Sequence, residues 1–390
     1  MKNFCDGYLY WCRHDPYRRL HEHASTLDPA GKHPAEKPCG SDTMTLLVRA
    51  ISENDLDGLF DLAALSGGGM TTLKPDRSML AQRIKTACAS FAEQIAPPLR
   101  DYVFVMEEPV GNRLVGVCAI KATVGLDAPF YNYRLGTLVH SSTELNVFSQ
   151  MDMLNLSNDL TDSAELCSLF LHPDFRSGSN GKLLSKSRLL FIAQFAHLFP
   201  SRVIAEMRGV QRDDGSSPFW DHLGRHFFKM DFKQADDLCS LGKKSFIAEL
   251  MPRHPLYVAY LPPEAQEVIG RVHAQSAPAR RLLQQEGMHY EGYIDIFDAG
   301  PVLQARIDTL RAVRESRGFF VENRIVPEDA SERPLLVSTT SLTSFRVIVD
   351  TVSGTSTTLA LGEKSRRLLG CHVGDTVHAL PLDVDGNHHR

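Results

Sequence analysis

The sequence predicts an α+β fold: a sheet flanked by helices, followed by a strand-rich C-terminal end. Three observations predict it. The run AELCSLFL, Ala164–Leu171, reads as a mostly buried strand that passes through a short loop of small residues into a long helix. YVFVMEE and RLVGVCAIKATVG, within residues 102–125, are apolar runs either side of a short polar turn, as in an antiparallel pair. Finally, PLLVST, FRVIVDTV and GDTVHALPL give a cluster of strands after residue 333.

The bulk properties set limits. A chain of 390 residues has room for two domains, or one large domain with additions. Its net charge of -5 argues against a general nucleic-acid or membrane-surface binder. No apolar run approaches the roughly 18–20 residues of a membrane span. The eight cysteines are scattered, with no CxxC pair and no metal-ligand spacing to histidines. Cys118 and Cys167 lie within apolar strands, where a thiol packs as a small hydrophobe, and the pattern is that of a reducing cytoplasm. Residues 1–43 are rich in His, Arg, Pro and Cys and lack an apolar period, so they read as a disordered or non-native extension. His14, His21 and His23 in that extension are either a tail or a metal trio.

A domain starts at Met44, where MTLLVRAISENDLDGLFDLAALSG gives a strand, a turn and an amphipathic helix beginning near Ser52–Asp55. SGGGMTTL, 66–73, ends that helix in a loop, and a second helix spans about Arg77–Gln94. After the central pair of strands, FYNYRLGTLVH (130–140) predicts a short strand with a turn. Gly181–Phe199 predicts a helix with Leu184, Phe191, Phe195 and Leu198 on one face and a polar back. RVIAEMRG (202–209) is the next strand. SPFWDHLGRHFFKMDF predicts a short helix broken at Gly224 and a closing strand, and SFIAELMP another strand. PPEAQEVIGRVH reads as a helix ending near His273, and residues 277–301 as helix, stop at Gly287, and strand. The closing strands, with a short helix before Gly370, predict a small β-barrel or half-barrel.

The loop HPDFRSGSNG carries the first functional signal. The N–H groups of a helix's first turn lack partners and the helix dipole favours an anion there. Gly178 and Gly181 would let a phosphate approach the main chain, and Arg176 adds a charged donor. Neither GxxxxGK[ST] nor GxGxxG with a downstream acid is present, which removes the usual triphosphate and dinucleotide sites.

Strand, HPDFR, small-residue loop and helix together resemble motif A of the GNAT acyltransferases, R/Q-x-x-G-x-G/A, which holds the pyrophosphate of coenzyme A. Gly181 is in register, but Ser179 replaces the first glycine and Gly178 stands one place early. Longer words sharpen the resemblance. ELCSLFLHPDFR, SNGKLLSKSR, VIAEMRGV, SPFWDHLGRHFF, FIAELMPRHPLYV, YIDIFDAGP, YNYRLGTLVH and SGGGMTTL are similar to the bacterial arginine N-succinyltransferase family, from about Met44 onward.

That resemblance implies a mixed, mostly antiparallel GNAT sheet over 44–233. It further implies a second helix–strand unit over 234–325 that completes the site, and a small β-rich domain over 326–390. The implied reaction is direct transfer of the succinyl group of succinyl-CoA to the α-amino group of L-arginine, with no metal. Ornithine as acceptor, an acetyl donor, or a catalytically silent CoA-binding subunit are the alternatives. The chain is expected to form homo-oligomers or to pair with a paralogous chain, with no nucleic-acid or membrane partner.

The implied residues follow one by one. Leu169 would bind the acyl donor through its backbone, although its side chain alone reads as core. Arg176, Gly178, Ser179, Asn180 and Gly181 would hold the phosphates. His273, at the end of VIGRVH, would be the proton donor, against the plain reading of a helix cap or surface histidine. Glu165 and Glu206 are candidates to take the amine proton, or else form strand-end salt bridges. Arg134 and Arg208 are candidates for substrate carboxylates, and Asp295 and Asp298 for the guanidinium. Lys182 and Lys186 would meet phosphate or solvent. A covalent route through Cys167 is the competing mechanism.

Overall fold

The computed structural model describes residues 45–383 except 68–69, 71, 241–244, 253 and 324–332, and these fall within one compact unit, Met44–Arg390. The expectations for residues 1–43 lie outside the described residues. In chain order the strands are β1 (Leu47–Ala50), β2 (Asp101–Glu108), β3 (Arg113–Val124), β4 (Asn132–Ser142), β5 (Val147–Ser157), β6 (Ser163–Leu171), β7 (Arg202–Glu206), β8 (Leu256–Tyr257), β9 (His289–Asp295), β10 (Pro301–Arg306), β11 (Arg317–Asn323), β12 (Arg333–Thr339), β13 (Arg346–Val352), β14 (Thr358–Leu361) and β15 (Thr376–Pro381). The helices are α1 (Leu56–Ser66), α2 (Arg77–Phe91), α3 (Asn180–Gln194), α4 (Pro218–His222), α5 (Gly224–Phe228), α6 (Phe232–Ser240), α7 (Ser245–Leu250), α8 (Pro263–Val268), α9 (Ala277–Gln285), α10 (Arg311–Glu315) and α11 (Glu363–Leu369).

Among the described residues all strands join one 15-stranded sheet in the order β14-β11-β15-β12-β13-β1-β2-β3-β6-β7-β10-β9-β4-β5-β8. Among the described residues only β6/β7 and β11/β14 run parallel. The centre is buried on both faces, so its strands read as nearly continuous apolar runs. On one face α1 and α2 lay Leu59, Leu62, Leu80 and Ile84 against Val103, Val105 and Val117. On the other, α3 lays Leu184, Leu190 and Phe191 against Phe104, Val115 and Ile120. The Phe191 ring meets Phe104 and Phe345 edge-on, with centroids 5.0 Å apart in each case, so it ties α3 to both halves of the sheet. Asp76 caps α2 by accepting from the N–H groups of Ser78 and Met79 at 2.9 Å.

One feature positions the site. Strands β6 and β7 pair only at Ala164↔Val203 and Glu165↔Ile204, then part. Within β6, Val117↔Phe170 and Ala119↔Cys167 leave Ser168 and Leu169 opposite the single residue Cys118, a β-bulge. Ser168 sits there at φ 52°. Its hydroxyl accepts from Arg83 Nη1 at 2.9 Å and donates to Thr72 Oγ1 at 2.9 Å, which holds a conformation side chains seldom adopt.

Several expected elements differ. α3 ends at Gln194 rather than Phe199, and a 3₁₀ turn follows at Ala196–Leu198. Its expected polar back is absent, because every residue from Leu183 to Ile192 is buried. The closing strand expected after Gly224 is instead α5, with α6 beginning at Phe232, and SFIAELMP forms α7, whose Ile247 packs in the cluster around Trp220. A short apolar run does not distinguish helix from strand by period alone. The helix before His273 ends at Val268. β4 is longer than expected and pairs along its whole length with β5, which the sequence did not suggest. The C-terminal strands join the main sheet through Val48↔Val347 and Arg49↔Arg346; they run β14-β11-β15-β12-β13, and the Gly354↔Leu359 bridge with Ala360 N bonded to Ser353 O returns β14 to the end of β13. Among the described residues no helix is long and apolar enough to cross a membrane.

Candidate active site

A cleft of about 1440 Å³ opens where β6 and β7 part. Arg176, Ser177, Gly178, Gly181 and Lys182 line it after the C-terminal end of β6, and Glu165 lines it near the N-terminal end. Leu171 to Glu165 spans about 20 Å at roughly 3.3 Å per residue, the scale of an extended pantetheine arm. Beyond Glu165, β6 bonds only to β3, so its other edge faces the cleft.

The loop fits an anion. Around Gly178 and Gly181 a Cβ would meet nothing within 4 Å, and Gly178 turns the chain at φ 54°. Asn180 donates from Nδ2 to Phe175 O at 2.9 Å, which fixes the loop from inside; Asn180 and Ser179 do not themselves line the cleft. Ser179 lies at φ -94°, an ordinary conformation for an L-residue, so replacing the motif's glycine strains nothing. Arg176 Nε donates to Leu171 O at 2.9 Å, and its guanidinium lies over the Phe170 ring at 5.7 Å. Lys182 pairs with Asp383. Lys186 is buried in a different role: its ammonium meets Glu286 Oε1 at 2.8 Å and donates to Leu382 O at 2.6 Å, so it does not reach phosphate. Gly178→Ala is expected to cost about 1–2 kcal/mol of stability in urea unfolding, from the left-handed backbone alone.

On the face opposite α3 the cleft is acidic. Glu165 faces Lys121 across β3, and burial opposes the Lys121 charge while Glu165 more than restores it. Glu206 Oε1 accepts from Asn132 Nδ2 at 2.8 Å. Asp295 lines the cleft beside Glu206, and its Oδ1 accepts from the N–H groups of Phe297 and Asp298 at 2.7 and 2.8 Å. Desolvation, with Asp298 and Glu206 adding repulsion, pushes the Asp295 carboxyl well above the usual range. Asp298 is chiefly a strut, accepting from Gly209 N at 2.8 Å and Gly300 N at 2.9 Å. The approach is so close that a Cβ on Gly300 would collide with the Met207 carbonyl. Two sequence words, VIAEMRGV and YIDIFDAGP, thus form one piece of cleft wall.

Arg208 lines the cleft and donates from Nε to Gln211 Oε1 at 3.1 Å; burial lowers its pKa. His273 stands behind it, outside the cleft lining, with its backbone N–H bonded to Arg208 O at 2.8 Å. It is no helix end but the cap of a 3₁₀ turn, Nδ1 accepting from Gln275 N at 3.2 Å. Desolvation, then the Arg208 charge, lowers its pKa below the usual 6.5. Arg134 lies outside the cleft, exposed, 3.6 Å from Asp159 and over the Tyr293 ring. Asn132, two residues earlier on the same face of β4, is the residue of that word which reaches Glu206. Cys167 is buried and its thiol is pushed up to about 11, chiefly by desolvation.

The chain matches the family model described as arginine N-succinyltransferase beta subunit over residues 46–312. The chain belongs to the arginine N-succinyltransferase family. Arginine N-succinyltransferases of Enterobacter sp. (strain 638) and Escherichia coli (strain 55989 / EAEC) are each 46% identical over 337 residues, 86% of this chain and 98% of theirs. The solved arginine/ornithine succinyltransferase subunit AI from Pseudomonas aeruginosa superposes with a TM-score of 0.79 at 32% identity, covering 87% of this chain and 100% of that one. The α+β fold expected from the sequence is therefore that of the solved succinyltransferase subunit, and β6 and β7 part in this chain beyond Glu165.

Proposed function

We propose that this chain transfers the succinyl group of succinyl-CoA to the α-amino group of L-arginine, the entry reaction of arginine breakdown. The observation that carries the reading is the bulged β6 edge, which joins an open anion loop to an acidic pocket within one cleft. The main chain at Gly178 and Gly181, with Arg176, holds the donor's phosphates, and the free edge of β6 takes its pantetheine amides. The N–H of Leu169, in the bulge, is placed to stabilise the oxyanion that develops on the thioester carbonyl; one such donor is worth about 3–4 kcal/mol.

On the acceptor side, Asp295 and Glu206 hold the guanidinium, and Arg208 takes the amino-acid carboxylate. Glu165, nearest the bulge, draws the proton from the amine through water. Transfer is direct, because a buried Cys167 thiol titrating at about 11 supplies little thiolate near neutrality. His273 offers a proton toward the leaving thiolate from behind Arg208.

Ornithine is the second acceptor to weigh, since the Pseudomonas relative is named for both amino acids. That relative is a subunit, and this chain carries a matching reason to assemble. The β4–β5 hairpin exposes Leu145 (74%) and Phe148 (70%) at its tip. We assign it to contact with a second copy or a paralogous chain.

Thiol release on mixing the protein with succinyl-CoA and L-arginine tests the reading, with L-ornithine and acetyl-CoA as comparisons. Release with succinyl-CoA and arginine is expected. Thioester binding without release from any pair would overturn catalysis, and the sedimentation mass of the same preparation reads the assembly.

A further inference from the structure

Arg188, the last residue of SNGKLLSKSR, is 1% exposed and lines the cleft from the α3 side. Among the described residues no carboxylate forms an ion pair with it. Its bonds go to neutral acceptors instead. Nε donates to Ser185 O at 3.3 Å, Nη1 to Cys167 O at 3.3 Å, and Nη2 to Ser185 Oγ at 3.1 Å. These are long for a charged donor, and a guanidinium has five N–H groups to place. Arg83, Lys186 and Lys74 are matched by Asp101, Glu286 and Asp236. Arg176 and Arg208 also bond neutral acceptors, but Arg176 is exposed and Arg208 half-buried, whereas Arg188 is buried. A buried charge left unmatched is strongly unfavourable, so an anion delivered by a ligand would gain unusually much there.

The location says which anion. Cys167 O, on which Arg188 bonds, immediately precedes the bulge residues Ser168 and Leu169 where the thioester carbonyl would sit. The acidic residues Glu165 and Glu206 stand on the opposite face of the sheet, so an acceptor cation and an acyl tail would approach the opening from different sides.

We infer that Arg188 is the receptor for the carboxylate at the far end of the donor's acyl chain, a subsite for dicarboxylic acyl groups. The inference rests on the succinyl-transfer reading but is separable from it. A monocarboxylic acyl chain of the same length would leave the guanidinium unmatched, so the subsite selects by charge rather than by length.

Calorimetric binding of succinyl-CoA and butyryl-CoA to the full chain, without acceptor, is the test. The wild-type protein is expected to prefer succinyl-CoA by roughly 10- to 100-fold, the range for a buried charge-assisted contact. Arg188→Met should erase the preference and Arg188→Lys should keep part of it. Thermal unfolding of ligand-free Arg188→Met should show no loss, because the variant removes an unmatched charge. Equal wild-type affinity for the two thioesters would overturn the subsite without any variant, as would a preference that survives Arg188→Met. A clear preference without transfer to arginine would keep the subsite and sink the transfer reading; transfer without preference would do the reverse.

Discussion

Replacing His273 with alanine is expected to lower kcat by about 10²- to 10³-fold, the range for loss of one proton-transfer group. The KM for arginine should change little. Alanine also removes a cap, so His273→Asn is the sharper variant: its Oδ1 can still accept from Gln275 N, but it lacks the Nε2–H. Loss of rate in both variants, with stability retained in His273→Asn, would place the effect at Nε2. Full activity in His273→Asn would reduce His273 to a cap.

The pH profile distinguishes two forms of the donor. Desolvation and Arg208 hold the imidazolium pKa below 6.5, so the ring is neutral from about pH 7 upward. With Nδ1 accepting a backbone N–H, the neutral ring carries its proton on Nε2 and remains a hydrogen-bond donor. Wild-type kcat/KM should then rise with pH as the arginine amine loses its proton, without a descending limb between pH 7 and about 8. A limb that falls as pH rises through a value below 6.5 would mean the imidazolium is the working acid.

What could be read from the sequence follows a physical rule. β2, β3, β6 and the β6–α3 loop were legible because each is local in sequence and the core strands are buried on both faces. α7 was not, since six residues of mixed pattern become helical through packing near Trp220 rather than through period. The pairing of β4 with β5 escaped because the hairpin's outer part, residues 139–148, is almost wholly exposed and needs no apolar face there. Within the site, the glycine-bearing loop between β6 and α3 was legible and the ownership of charges was not. Lys186 is expected to meet phosphate or solvent and Arg188 draws no reading of its own, because only their three-dimensional partners separate a salt-bridged strut from an unmatched guanidinium. Arg134 was named for its charge, yet it lies outside the cleft, and Asn132, which bonds Glu206, drew no notice. Glycine words were better guides: Gly209 and Gly300 brought the Glu206 and Asp295 segments together.

Asp295→Asn should move substrate affinity and stability in opposite directions. The carboxyl of Asp295, pushed up by desolvation and by its acidic neighbours, keeps its proton to a higher pH than a free carboxyl does. A bound guanidinium favours the ionised form, so arginine binding below that raised pKa should release up to one proton. Calorimetry in buffers of different ionisation enthalpy reads the release directly, and Asp295→Asn should abolish it. Affinity for arginine should fall by about 2–3 kcal/mol, a factor of roughly 30–150, the scale for truncating one side of a buried charge pair. Stability responds the other way. A raised folded-state pKa means that the stability due to the protonated group is fully present below the unfolded pKa near 3.9 and is lost as pH rises through the folded value. The amide cannot ionise and keeps its two bonds from the N–H groups of Phe297 and Asp298. Asp295→Asn should therefore match wild type in Tm near pH 4 and exceed it at pH 8. A variant that loses stability at pH 8 yet binds arginine normally would make the acidic cluster part of the cleft wall, and the guanidinium would need another partner.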